Sequence, residues 1–129
     1  DTITSRNNPK IKYFAKLTSD ASFRKSEGLF TLEGQRLCCD ASLSGSCITD
    51  AFITENAMKK YSSALKVLTE KSDRIFIITD EVSVRMSDTK NSQGYFVYAK
   101  HLTNGIIYKF YTDLAEPNKM DEKPFLEVN

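Results

Sequence analysis

Hydrophobic positions along the chain follow two alternating periods. Ile11, Phe14 and Leu17 recur at helical spacing, with Lys12 and Lys16 nearly opposite them and one turn apart. Asn8 is a good N-cap and Pro9 suits the first helical position, so a helix begins there. Ser19-Asp20-Ala21-Ser22 breaks the pattern and caps a second short helix holding Phe23, Arg24 and Lys25. Leu29, Phe30 and Leu32 predict a strand at about residues 29–33 that stops at Glu33-Gly34 and passes straight into a helix. That helix, over residues 34–44, carries Leu37, Cys38 and Ala41 on one side and ends at Gly45.

Residues 48–54, with Ala51, Phe52 and Ile53, read as a second strand. The clearest helix covers residues 56–71, where Ala57, Met58, Tyr61, Ala64, Leu65 and Leu68 keep a 3.6-residue period and read as core packing. Ile75-Phe76-Ile77-Ile78 is continuous enough to predict an interior strand covered on both sides. Thr79 or Asp80 caps a short helix carrying Val82, Val84 and Met86. A polar loop over residues 87–94 and a strand over residues 95–99 follow. Helices alternating with strands from residue 9 to residue 99 predict a layered α/β domain. Beyond it, Asn104-Gly105 is a tight-turn dipeptide that would let residues 106–111 pair back as a hairpin. The prolines at 117 and 124, among acidic residues, suggest a linker or tail.

Composition narrows the function classes. With 129 residues, 40% of them hydrophobic, the chain makes about one domain with a core of its own. No apolar run approaches the ~20 residues of a membrane span, so no membrane partner is expected. The three cysteines, Cys38, Cys39 and Cys47, form no Cys-x-x-Cys pair, which argues against a disulfide framework and a zinc site and makes a reducing cytoplasm the natural compartment. His101 is the sole histidine, so a multi-histidine metal site is excluded. The net charge of +1 hides an asymmetry. Residues 1–25 hold six basic against two acidic side chains, and residues 112–129 hold two against five. A basic front suggests a polyanion partner there; a solvated helix face explains the same charges equally well.

The turn at Glu33-Gly34 is the stretch around which candidate chemistry collects. A helix N-terminus following it would aim free N–H groups outward, where a phosphate could sit. Glu33 could accept hydrogen bonds from a base edge, a ribose hydroxyl or the loop's own backbone. The plain alternative is a strand-to-helix turn with Gly for geometry and Glu as a local cap.

Three stretches together resemble the SpoU (TrmH) family of RNA 2′-O-ribose methyltransferases. Thr4-Ser5-Arg6-Asn7-Asn8-Pro9-Lys10-Ile11-Lys12 looks like the family's opening signature. Phe30-Thr31-Leu32-Glu33-Gly34-Gln35-Arg36 is similar to its strand-to-helix motif. Met86-Ser87-Asp88-Thr89-Lys90-Asn91-Ser92-Gln93-Gly94-Tyr95 resembles its Asp-Thr…Gln-Gly loop. The resemblance covers roughly residues 2–100.

It implies the family's N-terminal substrate-binding domain, which is like ribosomal kinked-RNA-binding proteins: a three-layer α/β/α sandwich around a mixed, roughly four-stranded sheet. The domain would span residues 1–102, with residues 103–129 an extra hairpin strand and linker toward a knotted catalytic domain. In the family that second domain binds S-adenosylmethionine, carries the catalytic motifs and supplies most of a homodimer interface. No Asn-x-Gly-x-x-x-Arg segment follows residue 102, so no catalytic residue is assigned and no cofactor is expected in this stretch. The implied partner is structured RNA, rRNA or tRNA. Arg6, Lys10, Lys12, Lys16, Arg24, Lys25 and Arg36 would hold its backbone, and Asn7, Asn8, Glu33 and Gln93 would read bases or sugars. Gly34 and Gly94 would let the backbone come close. Tyr13 and Tyr95 are each open to base stacking or to a place in the core. The alternatives are a stand-alone RNA-binding protein of the ribosomal type, without enzymatic activity, and a small nucleotide- or protein-binding α/β module. The last lacks a Gly-x-Gly-x-x-Gly or phosphate-loop motif.

Overall fold

The computed structural model describes residues 2–87 and 91–100. The predicted hairpin at residues 104–111, the linker beyond it, His101 and the loop centre Asp88-Thr89-Lys90 lie outside the described residues. In chain order the elements are β1 (Thr2–Ile3), α1 (Pro9–Ser19), α2 (Ala21–Glu27), β2 (Leu29–Glu33), α3 (Gln35–Leu43), β3 (Cys47–Thr54), α4 (Glu55–Lys60), α5 (Ser62–Lys71), β4 (Ser72–Ile78), α6 (Asp80–Met86) and β5 (Tyr95–Lys100). The strands form one mixed sheet in the order β1-β4-β3-β5-β2. The β1–β4 and β4–β3 pairs are parallel, and β5 runs antiparallel to both β3 and β2.

Helices cover both faces, which gives the three layers that the resemblance implied. The period of two along β3 and β5 divides the core. Phe52, Phe96 and Tyr98 pack with Ile11, Phe14, Leu17, Val82 and Met86 of α1 and α6. Ala51, Ile53, Tyr95 and Val97 pack with Cys38, Ala41, Ala57, Ala64 and Leu68 of α3, α4 and α5. Phe14 meets Phe52 and Phe96 edge-on, at ring distances of 6.0 and 5.7 Å, and so fixes α1 across the sheet.

Local caps explain why the helices start where they do. Asn8 accepts from the Lys10 N–H, Asp20 from Phe23, Thr54 from Ala57 and Thr79 from Val82. Thr79, rather than Asp80, is therefore the cap of α6.

The structure departs from the sequence expectations in four places. Among the described residues the sheet has five strands where roughly four were expected, because Thr2–Ile3 pairs beside Ile77 and Ile78. A two-residue strand has no period to read. The helix expected over residues 56–71 is two helices, parted at Tyr61, whose backbone leaves helical geometry at φ −122° and ψ 58°. Its carbonyl accepts the Tyr95 phenol at 2.7 Å as well as the Leu65 N–H, an arrangement set from across the core. The strand Ser72–Ile78 does lie between two others, β1 and β3, but its cover is incomplete: β1 flanks only its last two residues, Ile75, Phe76 and Ile77 are half-buried, and Ile78 alone of the seven is buried. Val84, expected on an apolar helix face, is 75% exposed.

Candidate functional site

The C-terminal ends of β1, β2, β3 and β4 and the start of β5 meet at one end of the sheet. There two segments that are far apart in the chain are laced together. The Gly34 N–H donates to the Tyr95 carbonyl at 2.8 Å, and the Thr54 N–H donates to the Gly94 carbonyl at 3.1 Å. Gln93 Oε1 accepts the Gln35 N–H at 2.9 Å, so one of the N–H groups that opens α3 is already satisfied within the chain. Glu33 is half-buried on the α1/α6 side, and its carboxylate accepts from the Ser87 hydroxyl. Gly34 sits at φ +105° and is the N-cap of α3, with no side-chain cap bond. A Cβ on Gly94 would lie 2.4 Å from Thr54 Oγ1 and 3.0 Å from Ala57 Cβ, so glycine is required there by packing inside the domain.

Beside this corner a groove of about 480 Å³ lies between the 91–94 segment and α4, with Asn56, Lys60 and Asp80 among its polar walls. A second groove, about 650 Å³, runs between α1 and α6 and is lined by Lys12, Lys16 and Arg85.

The predicted backbone-holding residues, together with Asn7 and Asn8 that were expected to read bases or sugars, divide into two groups. Arg6, Asn7, Lys12, Lys16, Lys25 and Arg36 are exposed. Of these, Lys16 sits 4.3 Å from the Phe23 ring centroid, and Arg36 makes a loose surface pair with Asp40 at 3.7 Å. The other group is engaged inside the domain. Asn8 caps α1, and Arg24 closes its far end by donating to the Leu17 and Thr18 carbonyls at 2.6 and 2.9 Å. Lys10 donates to Asp50 Oδ2 at 2.9 Å.

Sequence reasoning missed Asp50. It is fully buried under α1 and is bound by Lys10, by Arg74 at 3.2 Å and by the Tyr98 phenol at 2.7 Å. The available signal was a lone carboxylate inside an apolar strand, which has to be paired. Arg85 was missed too: it lies in the last turn of α6, and its neighbours Lys12 and Lys16 are remote in sequence.

The two aromatic candidates differ in place: Tyr95 is in the core, and Tyr13 is half-buried at its edge. Tyr95 is fully buried and bonded to the Tyr61 carbonyl, while Tyr13 packs edge-on against Phe23 and Tyr98 and donates to Glu27. Burial pushes the phenols of Tyr13 and Tyr95 up to about 12, with Glu27 adding to the effect at Tyr13. Burial raises the Cys38 and Cys39 thiols as well, which opposes thiolate chemistry there. Among the described residues no cluster of His, Cys, Asp and Glu could hold a metal ion, and no helix is long and apolar enough to cross a membrane.

The same fold occurs in solved methyltransferase structures. An RNA 2′-O ribose methyltransferase superposes with a TM-score of 0.68 at 24% identity, over 80% of this chain and 38% of its own. An AdoMet-bound rRNA methyltransferase from Sinorhizobium meliloti gives 0.64 at 19% identity, over 79% of this chain and 37% of that one. A TrmH-family chain from Porphyromonas gingivalis gives 0.57 at 17% identity, over 75% and 36%. The chain thus spans less than two-fifths of the length of each of these proteins. No curated protein is matched by sequence. Residues 8–97, most of the folded unit, match the family model of the MRM3-like substrate binding domain, and the chain belongs to that family.

Proposed function

We propose that this chain is the RNA-recognition part of an S-adenosylmethionine-dependent RNA 2′-O-ribose methyltransferase of the SpoU (TrmH) type. In this reading residues 1–102 are its N-terminal substrate-binding domain and residues 103–129 lead toward the catalytic domain. That domain would bind the cofactor, carry the methyl-transfer residues and form the homodimer, and the protein would modify rRNA or tRNA in the cytoplasm.

The observation that carries the reading is the joining of Glu33-Gly34-Gln35 to Gln93-Gly94. Two of the three stretches that resemble the family meet at one corner through the Gln35–Gln93 hydrogen bond. The bond uses the acceptor of the Gln93 amide and leaves its N–H donors for a base or a sugar. Arg36, one residue into α3, adds an exposed cation at the same corner. Unpaired bases in a bulge or loop offer the edges and 2′-hydroxyls that such a corner can read. The family match and the shared fold of RNA methyltransferases support the choice of RNA over other polyanions.

Fluorescence anisotropy with a labelled RNA hairpin carrying an internal bulge tests this. The full chain should prefer the bulged hairpin to a fully paired one. Gln93→Ala should lower that preference by roughly tenfold, the range of a lost polar base contact of about 1–2 kcal/mol. Equal affinity for both hairpins, in wild type and variant alike, would refute it.

A further inference from the structure

The groove between α1 and α6 has a composition that the corner does not share. Three cations line it, Lys12 and Lys16 from α1 and Arg85 from α6, and no carboxylate does. Ala15 and Met86 also line it, together with Thr18 and Ser19, so the cations are its only charged groups. Lys12 and Lys16 are one helical turn apart, a rise of about 6 Å. That is close to the separation of neighbouring phosphates on a nucleic-acid strand. Lys16 is held over Phe23, so part of its side-chain freedom is already lost before any ligand arrives.

The groove also leads to the corner. Ser87 follows the lining residue Met86 and donates to Glu33. Thr18, another lining residue, bonds through its hydroxyl to Thr31 of β2, two positions before Glu33. A strand lying in the groove would therefore pass directly onto the Glu33-Gly34 turn.

We infer that the α1–α6 groove is a track for consecutive phosphates of the RNA strand whose unpaired bases meet the corner, and that Arg85 is one of its three anchors. The inference rests on the RNA reading above. It divides the labour: the groove supplies sequence-independent grip and the corner supplies recognition. Arg85 can take a phosphate through two parallel N–H groups of its planar fork, whereas each lysine acts as a compact point charge.

The test uses the full chain, a labelled bulged RNA hairpin and labelled poly(U) of equal length, titrated at 50 and 200 mM salt. Each phosphate contact adds about 0.7–0.9 to the slope of log affinity on log salt. Lys12→Gln/Lys16→Gln/Arg85→Gln should therefore remove roughly 20- to 40-fold of the affinity loss that wild type shows between those salt concentrations, on both probes. Arg85→Gln alone should remove about a third of that slope change. Gln93→Ala should affect the hairpin and leave the poly(U) slope as in wild type. The three groove residues are at the surface, and unchanged thermal melting will confirm that the variant folds. Wild type that binds both probes with a slope the three substitutions leave untouched overturns the groove and spares the corner. Wild type that binds neither probe overturns both readings.

Discussion

Replacing Gly94 by alanine tests whether this glycine is a packing requirement of the fold. Gly94 has φ +75°, and an alanine in that left-handed region costs about 1 kcal/mol. The added methyl would also lie 2.4 Å from Thr54 Oγ1, 3.3 Å from Thr54 Cγ2 and 3.0 Å from Ala57 Cβ. Thr54 cannot yield freely, because its hydroxyl accepts the Ala57 N–H and caps α4 at 3.1 Å. Losing that cap costs about 1 kcal/mol, and overpacking against Ala57 costs about 1 kcal/mol more. Gly94→Ala should therefore destabilise the domain by about 3 kcal/mol and lower its Tm by about 10–15 °C. Gly28 supplies the control. It has φ +69°, yet nothing lies within 4 Å of the position its Cβ would take, so Gly28→Ala should cost about 1 kcal/mol. Urea denaturation followed by far-UV circular dichroism, with the slope of free energy on urea compared across variants, measures both. Equal costs for the two substitutions would refute the reasoning, since backbone strain alone would then account for Gly94.

Two further predictions concern buried polar groups. Asp50→Ala strips the Tyr98 phenol of its acceptor and leaves Lys10 and Arg74 unpaired. Because these cations are 31% and 59% exposed and can turn to water, the expected loss is about 2–3 kcal/mol, below that of a sealed pair. Asp50→Asn keeps an acceptor and should cost about 1–2 kcal/mol in the same urea assay; an Asp50→Ala variant as stable as wild type would refute the network. Tyr13 and Tyr95 are raised from 10.0 to about 12, and Tyr98 is raised further. The folded state thus holds phenol protons that the unfolded chain releases, so their stabilisation is complete below pH 10 and declines as pH rises toward about 12. Urea midpoints should fall across that window, with tyrosinate absorbance appearing as the protein unfolds; tyrosinate that forms near pH 10 in a protein still folded would contradict it.

Much of the fold was legible because local patterns and tertiary burial agree. The cap at Asn8, the strand at Leu29–Glu33 and the apolar stripe Ile11, Phe14 and Leu17 all stand where the sequence predicted them. The candidate site was legible as motifs and not as geometry. Exposure of Arg6, Lys12 and Lys25 agrees with their polar positions in the pattern, whereas nothing in their neighbourhoods marked Lys10 and Arg24 as internal partners. Lys10 finds its carboxylate forty residues away on β3, a distance no helical period can reach. Tyr13 and Tyr95 show the converse case, where residue type allowed either role: burial assigned Tyr95 to the core and left Tyr13 half-buried at its edge.

Residue order by itself determined the alternation of helices and strands, the starts of α1, α2 and α3 and the layered α/β class, because caps and periodicity act within a few residues. Only the tertiary structure decided the five-strand order, the break at Tyr61, the pairing of Gln93 with the opening of α3, and the gathering of Lys12, Lys16 and Arg85 along one groove. Each of these depends on groups far apart in the chain, which come within bonding or screening distance once the two faces of the sheet are covered.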